Sequence, residues 1–346
     1  MKIRKITAVT AAAFMALCVL CSCSSDKTDA TEGTPVIMGS MVSIDVYGAD
    51  KKENAELKEN AIEEISRVDL VISKNNEQSE LYKINQNSGK VNDISSELLG
   101  FIQETSEIYS LSDGRLSATS GALTELWGID TEDFRLPEKD EIEKAILLCD
   151  DSEISVTEGD ISDTVSVRTG QLFNLGSVGK GIACDKAVEI ISKGKGCEGA
   201  VVSVGGSVAV LGKHNGDSVW KVGIRDPYGK SSDIFAVMSV ENCYISTSGN
   251  YEKKFTIDGK TYHHILDLKT GYPVENDLCA VTVVAKTGLE SDALSTMCYV
   301  LGEEKSLELL KMYDAEAVFI YSDKTVSITD ALKGKIEISN PDYTLK

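Results

Sequence analysis

Lys254-Phe-Thr-Ile-Asp258-Gly259-Lys-Thr-Tyr-His-His-Ile-Leu266 is the stretch on which the reading of this chain turns. Asp-Gly between two alternating runs is a strong local signal for a two-residue hairpin turn. With the turn at 258–259, Ile257 faces Lys260 and Phe255 faces Tyr262. The two-residue period of side chains then puts His264 on the face of Phe255 and Tyr262, and His263 on the face of Lys254 and Thr256. His264 is therefore the candidate for chemistry, with a satisfied core histidine as the alternative. The hairpin lies within a longer segment, 244–296, which opens Tyr-Ile-Ser-Thr-Ser-Gly-Asn-Tyr251 and closes Ser291-Asp-Ala-Leu-Ser-Thr296. That segment concentrates hydroxyls, two histidines and a carboxylate.

Outward from it, Ala200–Val204, Val208–Gly212, Val219–Ile224, Phe235–Val240 and Leu278–Ala285 read as strands, and Ala317–Tyr321 with Thr325–Ile328 as a hairpin. Upstream, Leu57, Ala61, Ile65, Val68 and Ile72 recur at three- and four-residue steps and predict a helix over Lys51–Ser73. A second helix is marked by Leu98, Ile102, Thr105 and Tyr109, and a third by Glu138–Asp150. The alternation of Pro35 to Tyr47 predicts a strand entered through Met38-Gly-Ser40. Glu153–Thr157 and Thr164–Val167 predict a strand pair, and Gln171–Leu175 a strand leading into a helix over Ile182–Ser192. Helices are expected at Asp292–Leu301 and Glu303–Tyr313. The segment Arg115–Gly128 is too rich in small and hydroxylated residues to be only a connection. Mixed order with hairpins predicts an α+β fold rather than a doubly wound parallel sheet.

The 346 residues carry a net charge of −20. Such a field makes nucleic acid an unfavourable partner and requires local cations or a metal wherever an anion binds. At the start, Lys2, Arg4 and Lys5 precede the apolar run Ile6–Leu20, as in a secretory signal. Leu20-Cys-Ser-Cys23 resembles a bacterial lipobox, which predicts a signal peptide over 1–22 and lipid attachment at Cys23; the alternative is ordinary signal cleavage nearby. The polar residues that follow make 23–34 a tether. The mature chain is then expected on the extracytoplasmic face of the cell membrane, with 35–346 as its body, in one domain or two fused lobes. Cys149, Cys184, Cys197, Cys243, Cys279 and Cys298 show no metal-ligand spacing and read as buried thiols, although an exported chain could pair some.

Asn174-Leu-Gly-Ser-Val-Gly-Lys-Gly181 places three glycines and a lysine between a strand and a helix, where free N–H groups suit a phosphate. It is not a Walker motif, and glycines at helix starts are also common for structural reasons. Val204-Gly205-Gly206 could likewise let the backbone approach a ligand. Asp292, Ser295 and Thr296 fall at i, i+3 and i+4. Their oxygens would share one helix face as a hard site suited to magnesium, unless Asp292 is simply an N-cap.

Together with Leu123-Thr-Glu-Leu-Trp-Gly128, Val222-Gly-Ile-Arg-Asp-Pro227, Ile245-Ser-Thr-Ser-Gly249 and His264-Ile-Leu-Asp-Leu-Lys-Thr-Gly271, these motifs resemble in order those of the ApbE family. Its members are magnesium-dependent FAD:protein FMN transferases, often bacterial lipoproteins. The resemblance runs from Met38 to about Gly302. It implies an ApbE-like fold that takes FAD as substrate and transfers its FMN half to a threonine hydroxyl of an exported or membrane redox protein, releasing AMP. Carried over, the metal site falls on Asp292, Ser295, Thr296 and the main-chain oxygen of Ser177. The flavin contacts fall on Met38, Lys74, Arg115, Leu116, Ser117, Asn174, Lys180 and Leu266, with Gly205 and Gly206 as points of close backbone approach. Lys180 and magnesium would neutralise the pyrophosphate, and His264 would orient or deprotonate the attacking hydroxyl, or only pack against the cofactor. The family usually shows aspartate where this chain has Ser117, often where it has Asn174, and proline where it has Leu268. No Asp-Gly-x-Ser/Thr-x-Thr segment of the kind the family modifies occurs here, so self-flavinylation is not expected. Two alternatives share these residues: an FAD pyrophosphatase and a non-enzymatic flavin-binding lipoprotein.

Overall fold

Helix α1 (Lys51–Ile72) buries the five apolar residues whose spacing predicts it, and Asp50 caps it by accepting from the N–H groups of Lys52 and Glu53 at 2.9 and 3.0 Å. The computed structural model describes residues 34–346 apart from 49, 130, 132, 161 and 215; the expected signal peptide, Cys23 and the tether up to residue 33 lie outside the described residues. The other helices are α2 (Glu80–Gln86), α3 (Ser96–Ser110), α4 (Gly121–Leu126), α5 (Lys139–Ile146), α6 (Gly179–Ile191), α7 (Gly288–Leu301) and α8 (Glu303–Met312).

Helices α1, α6, α7 and α8 pack on a nine-stranded sheet, while α4 and α5 gather with Leu266 and Leu268 in a separate cluster. In spatial order its strands are Val36–Ile37, Ser40–Tyr47, Gly199–Val204, Ser207–Gly212, Cys243–Gly249, Leu278–Ala285, Glu316–Tyr321, Thr325–Ile328 and Thr344–Leu345. Every neighbouring pair is antiparallel except the last. Both faces are covered, so alternate residues enter different cores. In Glu316–Tyr321, Ala317 and Phe319 join the helix-side core with Val281 and Val283, while Val318 and Ile320 join a second core. That second core lies under a three-stranded sheet of Trp220–Arg225, Ile234–Val240 and Ile336–Ile338. The architecture is α+β, as the sequence predicts.

Four local expectations need correction. The strand predicted over 35–47 is a tight hairpin, with Met38 and Gly39 both at positive φ between Val36–Ile37 and Ser40–Tyr47. Gln171–Leu175 is not a strand: only Leu172 bridges, to Ser120, and Phe173 is instead held by Asn85, which accepts from its N–H at 2.8 Å and donates to its carbonyl at 2.9 Å. Helix α6 starts at Gly179 rather than Ile182, and α7 at Gly288 rather than Asp292. The N-cap of α7 is Thr287, so Asp292 stands in the second turn and is not the cap. The six cysteines are free thiols, four of them buried.

Candidate active site

The Asp258-Gly259 hairpin forms with the register predicted for it: Ile257 pairs with Lys260 and Phe255 with Tyr262, and both turn residues have positive φ. Phe255 stacks on Phe134 with ring centroids 4.2 Å apart and packs near Trp127. The indole N–H of Trp127 donates to the Gly271 carbonyl at 2.8 Å, which ties the hairpin and α4 to the turn after Leu266. This aromatic wall closes one side of a cleft of about 2300 Å³. The other sides are the Met38–Ser40 turn, the loop after α1, the glycine-rich turn before α6 and the outer face of α7.

The floor is built by two helix N-termini in backbone contact. A Cβ on Gly181 would lie 2.0 Å from the Gly288 carbonyl oxygen, and one on Gly288 would lie 2.1 Å from the Gly181 oxygen. Only glycine at both positions lets the first turns of α6 and α7 touch in this way. Each helix then caps the other. Asp292 of α7, only 3% exposed, accepts from the Gly181 N–H at 3.0 Å. Asp185 of α6 accepts from Gly288 and Leu289 at 2.7 and 2.9 Å. These are the unsatisfied N–H groups of a first helical turn, and the positive end of each dipole favours the carboxylate. Burial nonetheless pushes the Asp185 carboxyl up to about 6, against the lowering by its two N–H donors. Lys180 Nζ stands 3.6 Å from Asp292, so a cation and an anion meet at the positive end of α6.

Hydroxyls fasten strand Cys243–Gly249 to α7. Ser246 bonds Ser291 at 2.8 Å, and Ser248 bonds both Ser295 and Thr296 at 2.8 and 3.0 Å. Ser295 and Thr296 also donate back to the Asp292 carbonyl at 2.9 and 3.3 Å. Asp292 and Thr296 border the cleft, as does Ser177, while Ser295 is fully buried behind them. One carboxylate among hydroxyl and carbonyl oxygens is a donor set that fits a hard cation sharing its shell with substrate phosphates. Among the described residues no group of three His, Cys, Asp or Glu gathers, so nothing here resembles an all-carboxylate or zinc cage.

Of the other sequence candidates, Met38, Lys74, Leu116, Ser117, Asn174, Lys180, His264 and Leu266 border the cleft. Strand pairing ends at His263, and His264 follows in a bend. His263 is half-buried and does not border the cleft, its Nε2 at 2.9 Å from the Val274 carbonyl and its ring edge-on to Tyr299. Arg115, Gly205 and Gly206 are not among the bordering residues. Arg115 pairs with Asp267 and so fixes the 266–271 turn from behind. Gly205, at positive φ, leaves room for the Lys180 stem, which a Cβ would meet at 3.3 Å, and for Ser40. Sequence reasoning missed Glu252 and Tyr109, both on the cleft wall. Burial raises the Glu252 carboxyl despite Lys180 and Arg225 nearby, and Tyr109 hydrogen-bonds Ser177. Neither lies in a motif whose local spacing would mark it.

The family model described as the ApbE family matches residues 38–319. This chain belongs to the ApbE family. An FAD:protein FMN transferase of Treponema pallidum is 30% identical over 329 residues, 90% of either chain, and one of Escherichia coli K12 is 32% identical over 278 residues, 79% of either chain. Among solved structures, the ApbE protein of Thermotoga maritima superposes with a TM-score of 0.79 at 30% identity, covering 86% of this chain and 96% of that one. The apo flavinyl transferase ApbE of Pseudomonas stutzeri gives 0.72 at 25% identity, covering 86% and 94%.

Two departures from the ApbE pattern have local explanations. Ser117 stands where the family usually has aspartate, and a carboxylate from elsewhere backs it. Asp151 accepts from the Ser117 hydroxyl, from the Thr119 hydroxyl at 2.9 Å, and from the N–H groups of Ala118 and Thr119 at 2.9 and 3.1 Å. Leu268, in place of proline, donates its N–H to the Arg115 carbonyl at 3.1 Å, a bond that proline cannot make.

Proposed function

We propose that this ApbE-family enzyme is a magnesium-dependent transferase that passes the FMN half of FAD to a threonine hydroxyl of an exported or membrane redox protein and releases AMP. Flavin transfer itself rests on family membership and on relatives of that name along nine-tenths of the chain. The observation that carries the finer reading is the meeting of Asp292, Lys180 and the N-terminus of α6 on the floor of the cleft. That is where a pyrophosphate would be held.

Asp292, Ser295, Thr296 and the main-chain oxygen of Ser177 are the residues that would hold magnesium. The ion would supply charge neutralisation for the pyrophosphate and for the departing phosphate. Lys180 contributes a further positive charge against the bridging oxygen, and the α6 N-terminus favours the same anion. The threonine oxygen forms a bond to the FMN phosphorus as the bond from that phosphorus to the bridging oxygen breaks. AMP leaves with that oxygen. The hydroxyl proton passes to His264, which borders the cleft beside the hairpin. The lipid anchor at Cys23 would hold the enzyme where such acceptors are exposed.

The test incubates the full chain in detergent with FAD and magnesium, with and without a synthetic peptide carrying Asp-Gly-x-Ser-x-Thr. AMP together with an FMN-sized mass gain on threonine is the expected result. AMP and free FMN without a peptide gain would replace the transferase by a pyrophosphatase, and bound, unchanged FAD would leave only a flavin-binding protein.

A further inference from the structure

Strand Lys254–Ile257 pairs on one side only, with Lys260–His263, in a sheet of two strands. In a two-residue hairpin the closing pair exchanges both backbone bonds, and the hydrogen-bonded pairs then alternate outward from the turn. Ile257 and Phe255 therefore point their N–H and C=O groups at the partner strand; consistent with that phase, His264 N–H donates to the Lys253 carbonyl at 3.1 Å. Lys254 and Thr256 point theirs the other way. Among the described residues, no hydrogen bond from another group meets the N–H or C=O of either. Every residue from Lys253 to Asp258 borders the cleft, as does Thr261 opposite Thr256, so residues of both faces reach it and the open edge between those faces lies along it.

An open strand edge is normally blunted or covered. Here the strand is buttressed by the stacking of Phe255 on Phe134 and Tyr262, and it runs along the same cleft as Lys180 and Asp292. Lys253 and Lys254 are exposed at its start, on a chain of net charge −20. We propose that this edge is the docking strand for the acceptor: an extended, acid-flanked segment of the acceptor protein adds to Lys254–Ile257 as a third strand and so delivers its hydroxyl residue to the cleft. Main-chain bonds from Lys254 and Thr256 supply affinity without demanding a particular side chain, and the two lysines select segments with a nearby carboxylate. The proposal rests on the transferase reading above.

The experiment uses the full chain in detergent, FAD, magnesium and the same synthetic peptide, now N-methylated at one backbone position at a time. Strand addition predicts a period of two: methylation at alternate residues lowers kcat/KM for the peptide at least tenfold, and at the intervening residues by less than threefold. Thr256→Pro removes one outward N–H and no ladder bond. It is expected to raise the peptide KM at least tenfold while the dissociation constant for FAD moves less than twofold. Sensitivity without that alternation, or an unchanged peptide KM in a Thr256→Pro protein that still binds FAD, overturns the docking strand. Should Thr256→Pro fail to fold, the methyl scan on the unaltered enzyme decides alone. Failure of the unmodified peptide to gain FMN mass refutes the transferase reading itself, and the docking strand with it.

Discussion

Gly288→Ala tests whether the floor of the site depends on backbone contact between two helices. The new Cβ would sit 2.1 Å from the Gly181 carbonyl oxygen, 2.8 Å from its carbon and 3.1 Å from Asp185 Oδ2, where ordinary contact begins at 3.4 Å. The nearest obstacle is helical backbone, which cannot swing aside as a side chain would. The first turns of α6 and α7 must therefore part by roughly 1.3 Å. That displacement lengthens every bond across the contact. Asp185 to Gly288 and Leu289, at 2.7 and 2.9 Å, and Gly181 to Asp292, at 3.0 Å, would all move beyond hydrogen-bonding range.

Overpacking of this kind costs ~1–3 kcal/mol, and a buried group stripped of its partner ~1–3 kcal/mol more. Alanine returns at most ~1 kcal/mol of helix propensity. The expected net loss is about 1–5 kcal/mol of unfolding free energy. Urea denaturation followed by circular dichroism measures it, with AMP release at saturating FAD as the functional readout. Turnover is expected to fall at least tenfold even where the protein remains folded, because Asp292 and Lys180 no longer share one anion site. A variant within about 1 kcal/mol of wild type that turns over normally would show that the reciprocal glycines are incidental.

Gly100→Ala is the contrasting case: this exposed glycine lies inside α3 with nothing within 4 Å of its Cβ position, so the substitution should stabilise by ~0.5–1 kcal/mol in the same urea assay. Asp292→Asn keeps the shape and removes the charge; AMP release should fall ~100-fold or more, with far-UV circular dichroism unchanged. Asp185 titrates near 6 when folded, above its unfolded value, so its contribution to stability is full below about pH 4 and is lost as pH rises through about 6. The slope is up to about 1.4 kcal/mol per pH unit over that window, and Asp185→Asn should abolish that component of the pH dependence of unfolding free energy.

What was legible in the sequence follows from how local its cause is. The Asp258-Gly259 hairpin and its register depend on turn chemistry, and α1 on a five-residue apolar stripe, so both could be read directly. The starts of α6 and α7 could not. Gly179, Gly181 and Gly288 look like loop residues because glycine is a poor helix former; Gly181 and Gly288 are explained by the facing helix, and Gly179 by Ile72 of α1, which a Cβ would meet at 3.1 Å. Residues 171–175 carry a strand-like apolar pattern, but their backbone groups are taken by Asn85 and Ala118, partners that no window contains. Asp151 behind Ser117 escaped for the same reason, being supplied from 34 residues along the chain.

The acidity of the chain makes the arrangement of the cleft intelligible. A molecule of net charge −20 repels FAD, itself an anion, out to about a Debye length, roughly 10 Å at 0.1 M salt, so the offsetting attraction has to be concentrated where the anion binds. Short range is what the site offers: the N–H groups of a helix start, the Lys180 ammonium beside Asp292, and Lys253 and Lys254 on the hairpin edge. Each acts only on an anion already in the cleft. The carboxylates there are equally local, since Asp292 is held by the Gly181 N–H and burial favours the neutral form of Glu252. A surface rich in lysine could have drawn FAD from a distance without orienting it. Cations placed in the cleft attract little at long range and position more, which suits the transfer proposed above.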